Sequence, residues 1–179
     1  MLDKIIDKKY SIIYADPPWP YDIIRWNTRY VGNHYSTMSI EDICNLNVPS
    51  ADDAILYLWA TAPRLPEAIE VMKAWGFEYK TCAVWDKETM GLGTWFRIQH
   101  ELLLVGVRGS PSAPKRSLRK RSIFKIRREK HSAKPQYFRD LINYWYPNEE
   151  KIELFAREHD VGWEVFGNEA PAHERATLF

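Results

Sequence analysis

The sequence predicts an α/β fold of three layers, a mostly parallel sheet between helices. Three observations carry that prediction. Short runs at Ile12 to Ala15, Ile55 to Trp59, Leu102 to Val107 and Ile152 to Ala156 are apolar throughout instead of alternating, as strands buried on both faces are. Helical spacing falls between those runs, so strands alternate with helices. The chain of 179 residues is 45% hydrophobic and 14% aromatic, enough for one domain with a real core.

The first run, entered at Ser11, ends in Asp16-Pro17-Pro18-Trp19. Residues 20 to 35 follow, aromatic and polar, and read as a long loop. Ser39 with Asp42 reads as an N-cap pair opening a short helix. Leu65, Ala68, Ile69, Met72 and Trp75 recur at helical spacing, and Gly76 supplies the stop. Residues 110 to 133 begin with a Ser/Pro cluster and read as a second long loop, of the functional or disordered kind. Pro135 suits a first helical position, and Phe138, Leu141, Ile142 and Trp145 line one face of the helix it opens, which Pro147 closes. Glu153 falls inside the last apolar run. An unpaired acid there is costly, so it is expected to have a partner. No internal repeat and no second domain is evident.

Composition narrows the function. There is no basic-apolar-small leader and no apolar run near 18 residues, so a soluble, cytoplasmic protein is expected. Cys44 and Cys82 are far apart with no CxxC partner, which predicts two buried or neutral thiols and neither a disulfide nor a zinc knuckle. The histidines are scattered and form no metal-ligand cluster. Gly91-Leu92-Gly93 lacks the third glycine and the strand-to-helix setting of a dinucleotide loop, and reads as a flexible loop before Trp95. Net charge is +1, yet residues 115 to 130 hold nine of the 25 basic residues and one of the 24 acids. A cationic segment therefore sits on an acidic body. Neutralising phosphates is its natural use, and Arg119, Lys120 and Arg121 at its centre are candidate nucleic-acid contacts.

The Asp-Pro-Pro-Trp turn carries the chemistry. Proline fixes φ and pushes the residue before it into an extended conformation. Two in series hold the Asp16 carboxylate and the Pro17 carbonyl in one preset geometry. Both are acceptors, and an exocyclic amine such as adenine N6 offers two N–H donors. Accepting both favours a tetrahedral nitrogen whose lone pair can attack, while Trp19 can stack on the flat base. Attack on a methyl sulfonium needs positioning and electrostatics more than covalent help. The full string after a buried strand appears by chance in a chain of this length on the order of once in a few thousand.

With those residues in place, the chain resembles the MT-A seventy family of N6-adenine methyltransferases. Tyr35-Ser36-Thr37-Met38-Ser39 resembles the family's Tyr-x-Thr-Met segment. Leu56-Tyr57-Leu58-Trp59 and Leu104-Val105-Gly106-Val107 resemble its core strands, and His131-Ser132-Ala133-Lys134-Pro135 its Ser-x-Lys-Pro element. Residues 151 to 157, followed by Gly167-Asn168, resemble its cofactor block. The matches run in family order from about residue 11 to 170.

The resemblance implies a Rossmann-like methyltransferase sandwich with the catalytic turn ahead of the cofactor block, and S-adenosylmethionine as cofactor. Asp16, Pro17, Pro18 and Trp19 would be catalytic, with Trp19 and Tyr35 flanking the base. Lys134 would reach the methionine end of the cofactor or the base, with Glu101 the acid near it. Arg157, His159 and Asp160 would lie at the ribose, and Asn168 and Glu169 near ribose and adenine. The family often has Asn at the Asp160 position and Gln at that of Glu169, so an amide donor is lost at each. Its larger members bind cofactor upstream of the turn, an interaction expected in this chain to be missing or rebuilt near Ile5 to Lys8.

Nucleic acid is thus the expected substrate, with DNA preferred to RNA for so compact a chain, and a homodimer in keeping with a family whose members work in pairs. Adenine in a duplex must be flipped out, unless the strand is single. Arg25, Trp26, Arg29 and Tyr30 mix cations with aromatics and could cover it. Cytosine N4 would call for similar chemistry. The rival from another class is a non-catalytic nucleic-acid-binding subunit. Such subunits lose the catalytic acid, whereas this chain keeps Asp16, both prolines and Lys134.

Overall fold

The computed structural model describes residues 8–20, 37–128, 133–157 and 159–167. Within them the strands are β1 (Tyr10–Ala15), β2 (Ser50–Ala60), β3 (Glu78–Asp86), β4 (His100–Arg108), β5 (Ile123–Lys125), β6 (Lys151–Leu154) and β7 (Glu164–Phe166). The helices are α1 (Ile40–Cys44), α2 (Leu65–Ala74) and α3 (Gln136–Trp145). Among the described residues the strands form one sheet in the order β5-β3-β4-β2-β1-β6-β7. Strand β4 alone runs against the rest. The sheet is mostly parallel, in keeping with a Rossmann-like methyltransferase fold.

The parity of each strand sorts its side chains between two helical layers. Ile13, Ala15, Leu56, Leu58, Leu104, Ile152 and Leu154 face a core that includes Ile43 of α1 and Ala68, Val71 and Met72 of α2. Ile12, Tyr14, Tyr57, Trp59, Trp85 and Leu103 face a second core built with Phe138 and Ile142 of α3. Close approach matters at Gly106, where a Cβ would stand 2.5 Å from Met72 Cε. The apolar stripe of α2 ends as expected, with Gly76 at φ +80 just past the helix. Ser39 caps α1, its hydroxyl oxygen accepting from the Asp42 amide at 3.0 Å.

Three expectations need correction. The Leu102-to-Val107 run is buried but antiparallel, because residues 87–99 between β3 and β4 form no crossover helix and turn straight back, Lys87 N donating to Gln99 O at 2.9 Å. Pro135 caps α3 at φ −58, ψ 131 and does not begin it, an extended backbone that sets the chain's entry into the helix. The segment from Ser110 to Ala133 is not loop throughout. Residues 123–125 pair with β3 as the edge strand β5, and the chain on either side is pinned to the body. Trp85 Nε1 donates to Ile126 O at 2.7 Å, Trp145 Nε1 to Leu118 O at 3.0 Å and Tyr146 Oη to Ser112 O at 3.0 Å. Among the described residues no helix is long and apolar enough to cross a membrane.

Candidate active site

Strands β1, β2, β6 and β3 all end at one edge of the sheet, and reversed β4 begins there. In open α/β sheets this edge takes the ligand. Asp16 follows β1 directly. The chain then folds back over the edge. Trp19 N donates to Pro17 O at 2.8 Å, and Met38 N to Pro18 O at 3.0 Å. Thus the chain leaves the turn at Pro20 and is tied to it again at Met38. The Trp19 ring packs partly on the α1/α2 core and its Nε1 donates to Trp59 O at 3.0 Å. Two prolines and these bonds leave the turn little freedom.

Lys134, just before the α3 cap, reaches the same edge. Its Nζ is 2.7 Å from Asp16 Oδ2 and 3.3 Å from Glu101 Oε2, and lies 5.5 Å from the centroid of the Trp59 ring. Lys87, at the exit of β3, is 3.2 Å from Glu101 Oε1. The side chains of Lys134, Asp16 and Glu101 are 11%, 20% and 16% exposed, too buried for either sign to stand alone. Burial alone would lower the Lys134 pKa, but Asp16 and Glu101 outweigh it and hold the ammonium above its ordinary value. Burial alone would raise Glu101, but Lys134 and Lys87 outweigh it and hold the carboxyl below the ordinary range. The arrangement keeps both groups charged.

The chain leaves β6 through a strained turn. Phe155 has φ 62, rare for an aromatic residue. Next to it, Ala156 N donates to Phe166 O at 3.1 Å, and a Cβ on Gly167 would stand 2.2 Å from Ala156 O. The exit of β6 and that of β7 are thereby held together. Arg157, His159 and Asp160 follow, the first and third partly buried and His159 exposed. Asp160 accepts from Gln136 Nε2 at the start of α3, and its Oδ1 takes the Val161 amide at 2.8 Å.

The structure brings Asp16, Pro17, Pro18, Trp19, Glu101 and Lys134 to one edge, with Arg157, His159 and Asp160 off the neighbouring strand. Tyr35, Asn168, Glu169, the residues 1 to 7 and the Arg25-to-Tyr30 group lie outside the described residues. Arg119, Lys120 and Arg121 are exposed, but they precede β5, beside the Leu118 contact with the carboxyl end of α3. Lys125, Arg127 and Arg128 lie where β5 exits, nearer the edge that holds Asp16.

Two parts of the site escape a reading by sequence. Lys87 carries no local signal, because its role depends on the register of β3 with β4. The partner of Glu153 is Arg139, with Nε 2.6 Å from Oε2 and Nη2 2.5 Å from Oε1, and the guanidinium lies 5.2 Å from the Tyr14 ring centroid. A signal for it exists. Gln136, Arg139 and Asn143 recur at helical spacing beside the apolar stripe of α3, and they bond Asp160, Glu153 and Val161 O in turn.

Comparison with known proteins identifies the family. A family model described as MT-A70 matches residues 10–169. The chain is 37% identical over 187 residues to the type II methyltransferase M.MunI of Mycoplasma sp, an alignment covering 92% of this chain and 79% of that protein. It is 32% identical over 180 residues to the N(6)-adenosine-methyltransferase catalytic subunit METTL3 of Homo sapiens, covering 94% of this chain and 29% of that protein. Against the MT-A70-like N(6)-adenosine-methyltransferase of Drosophila melanogaster the identity is 31%, with 94% of this chain and 28% of that protein covered. The chain thus spans most of the first relative and under a third of the other two.

Proposed function

The chain belongs to the MT-A70 family of S-adenosylmethionine-dependent methyltransferases, and from that premise we propose that it methylates the N6 amine of adenine in DNA. The observation that carries the reading is the Asp16 carboxylate at the end of β1, tied by one oxygen to Lys134 at 2.7 Å. Lys134 fixes the carboxylate's orientation and engages Oδ2, which leaves Oδ1 to accept one N–H of the amine. The Pro17 carbonyl oxygen takes the Trp19 amide on one lone pair and has a second for the other N–H. With both N–H groups held, the nitrogen lone pair is presented for attack. Trp19, tied through its indole to Trp59 O, is assigned to one face of the base and Tyr35 to the other.

S-adenosylmethionine supplies an electrophilic methyl group on a sulfonium. The donor set fits such a molecule. The Asp16 charge favours a cation, and the strained Phe155 turn offers backbone at the strand exit where ligands bind. We assign Arg157, His159 and Asp160, with Asn168 and Glu169, to its ribose and adenine. An ammonium has three N–H donors. Lys134 directs two at Asp16 and Glu101, and the third is left for the cofactor's carboxylate or the base.

DNA is supported by the type II methyltransferase, which is the more identical and more fully covered of the relatives described above. Adenosine in RNA is the second reading, favoured by the METTL3 relatives. The exposed cations Arg119, Lys120 and Arg121 suit either backbone. Mass spectrometry of nucleosides from DNA and RNA incubated with the protein and labelled cofactor decides among them. N6-methyldeoxyadenosine supports the proposal. Label confined to N6-methyladenosine of RNA, or to cytosine, would replace it.

A further inference from the structure

Residues 87–99, between β3 and β4, form a hairpin of which the methyl-transfer site uses only Lys87, at the base. Its base is fixed. Lys87 N donates to Gln99 O at 2.9 Å, and Gln99 Nε2 to Asp86 Oδ1 at 2.8 Å. Higher up, Gly91 N donates to Ile98 O at 2.9 Å, Ile98 N to Leu92 O at 3.2 Å and Arg97 Nε to Gly91 O at 2.6 Å. The tip is tight. A Cβ on Gly93 would stand 1.9 Å from Phe96 O, so only glycine closes this turn. The loop expected before Trp95 takes the form of a hairpin, and it holds Trp95 and Phe96 out at 92% and 85% exposure, with Leu92 and Met90 behind them.

So much apolar surface in water marks a contact site. Two observations say with what. The hairpin rises from the catalytic edge, because Lys87 at its base joins Glu101, then Lys134, then Asp16 in one chain of ion pairs. Six residues at ~3.3 Å each place the tip no more than about 20 Å beyond that base. Its surroundings are cationic. Arg97 lies on the hairpin, Lys125 pairs in register with Asp86, and exposed Arg127 and Arg128 follow. Apolar tips rimmed by cations suit a polyphosphate whose base stack is to be opened.

We infer that Trp95 and Phe96 wedge into the base stack of a duplex substrate and hold it open while the target adenine occupies the Asp16 site. The inference rests on the nucleic-acid methyltransferase reading. It predicts a role on duplex alone, since a single strand has no pairing to break.

The test is methyl transfer by the full chain to duplex DNA and to the same DNA heat-denatured, read by nucleoside mass spectrometry. Trp95→Ala with Phe96→Ala should lower transfer to duplex by about tenfold or more and change transfer to denatured DNA by less than about threefold. Trp95→Tyr should keep most of the duplex activity. Equal loss on both forms, or loss on neither, would overturn the inference. So would sedimentation showing that wild type is a dimer and the double variant a monomer, which would make the tip a contact between copies. A wild-type chain that methylates neither form would overturn the substrate reading, and this inference with it.

Discussion

Lys134 Nζ lies 2.7 Å from Asp16 Oδ2 although 118 residues separate the two in the chain. The sheet makes the contact possible. Asp16 leaves β1 at the edge where Pro135 turns the chain into α3, so the lysine that precedes the cap points at the acid. Glu101 and Lys87 extend the pair into a cluster of alternating sign.

Removing Lys134 leaves two carboxylates facing each other. Lys134→Met should lower stability by about 1–3 kcal/mol, less than a fully buried pair because the groups keep some solvent. The melting temperature then falls by about 3–10 °C. Single-turnover methyl transfer should fall by about tenfold or more through loss of Asp16 orientation. Thermal melts and rapid-quench assays measure both. Glu101→Gln in the Lys134→Met background should recover part of the stability and little of the rate.

Glu153 is 2% exposed and depends on Arg139. Burial raises its pKa despite the bidentate guanidinium. Arg139→Met should cost about 3–5 kcal/mol, because it strands a buried charge. Arg139→Met with Glu153→Leu should recover most of that. Denaturant unfolding of the two proteins gives the comparison, and equal instability would show that the pair is not the cause.

The cluster also sets an acid limit. Glu101 titrates lower in the folded chain than in the unfolded one. Its contribution is therefore complete above the ordinary glutamate range and is lost as pH falls through the lowered value. Glu101→Gln should be less stable than wild type near neutrality, and the gap should close as pH falls through and below the ordinary glutamate range. Melts across that window check the sign. A constant gap would mean that charge at Glu101 contributes nothing.

Reversing charge at Arg119, Lys120 and Arg121 should weaken DNA binding and flatten its salt dependence by up to about 0.9 in logarithmic slope for each phosphate no longer neutralised. Binding titrations at several salt concentrations read the slope. If it does not change, those residues are a solvated strand entrance, and the cations after β5 hold the phosphates.

Much of this was legible in the sequence for local reasons. Ser39 announces its helix by a hydroxyl three residues from an acid, and Gly76 closes the next by a left-handed backbone. The turn at Asp16 is stiff because proline is stiff, whatever surrounds it. Legibility ends where register decides. Strand β3 hides because Glu78, Tyr79, Lys80 and Thr81 are exposed and give no buried run. Strand β5 hides inside the cationic segment, three residues long and held by its neighbour. Lys87 and Arg139 find their carboxylates only after the sheet has formed.

The central claim is that the acid of the turn performs the chemistry. Its direct measurement is methyl transfer by Asp16→Ala at saturating labelled cofactor and DNA, alongside calorimetric cofactor binding and a thermal melt. Asp16→Ala should fold and lose transfer by at least about a hundredfold. A folded Asp16→Ala chain that methylates adenine at the wild-type rate would contradict the claim.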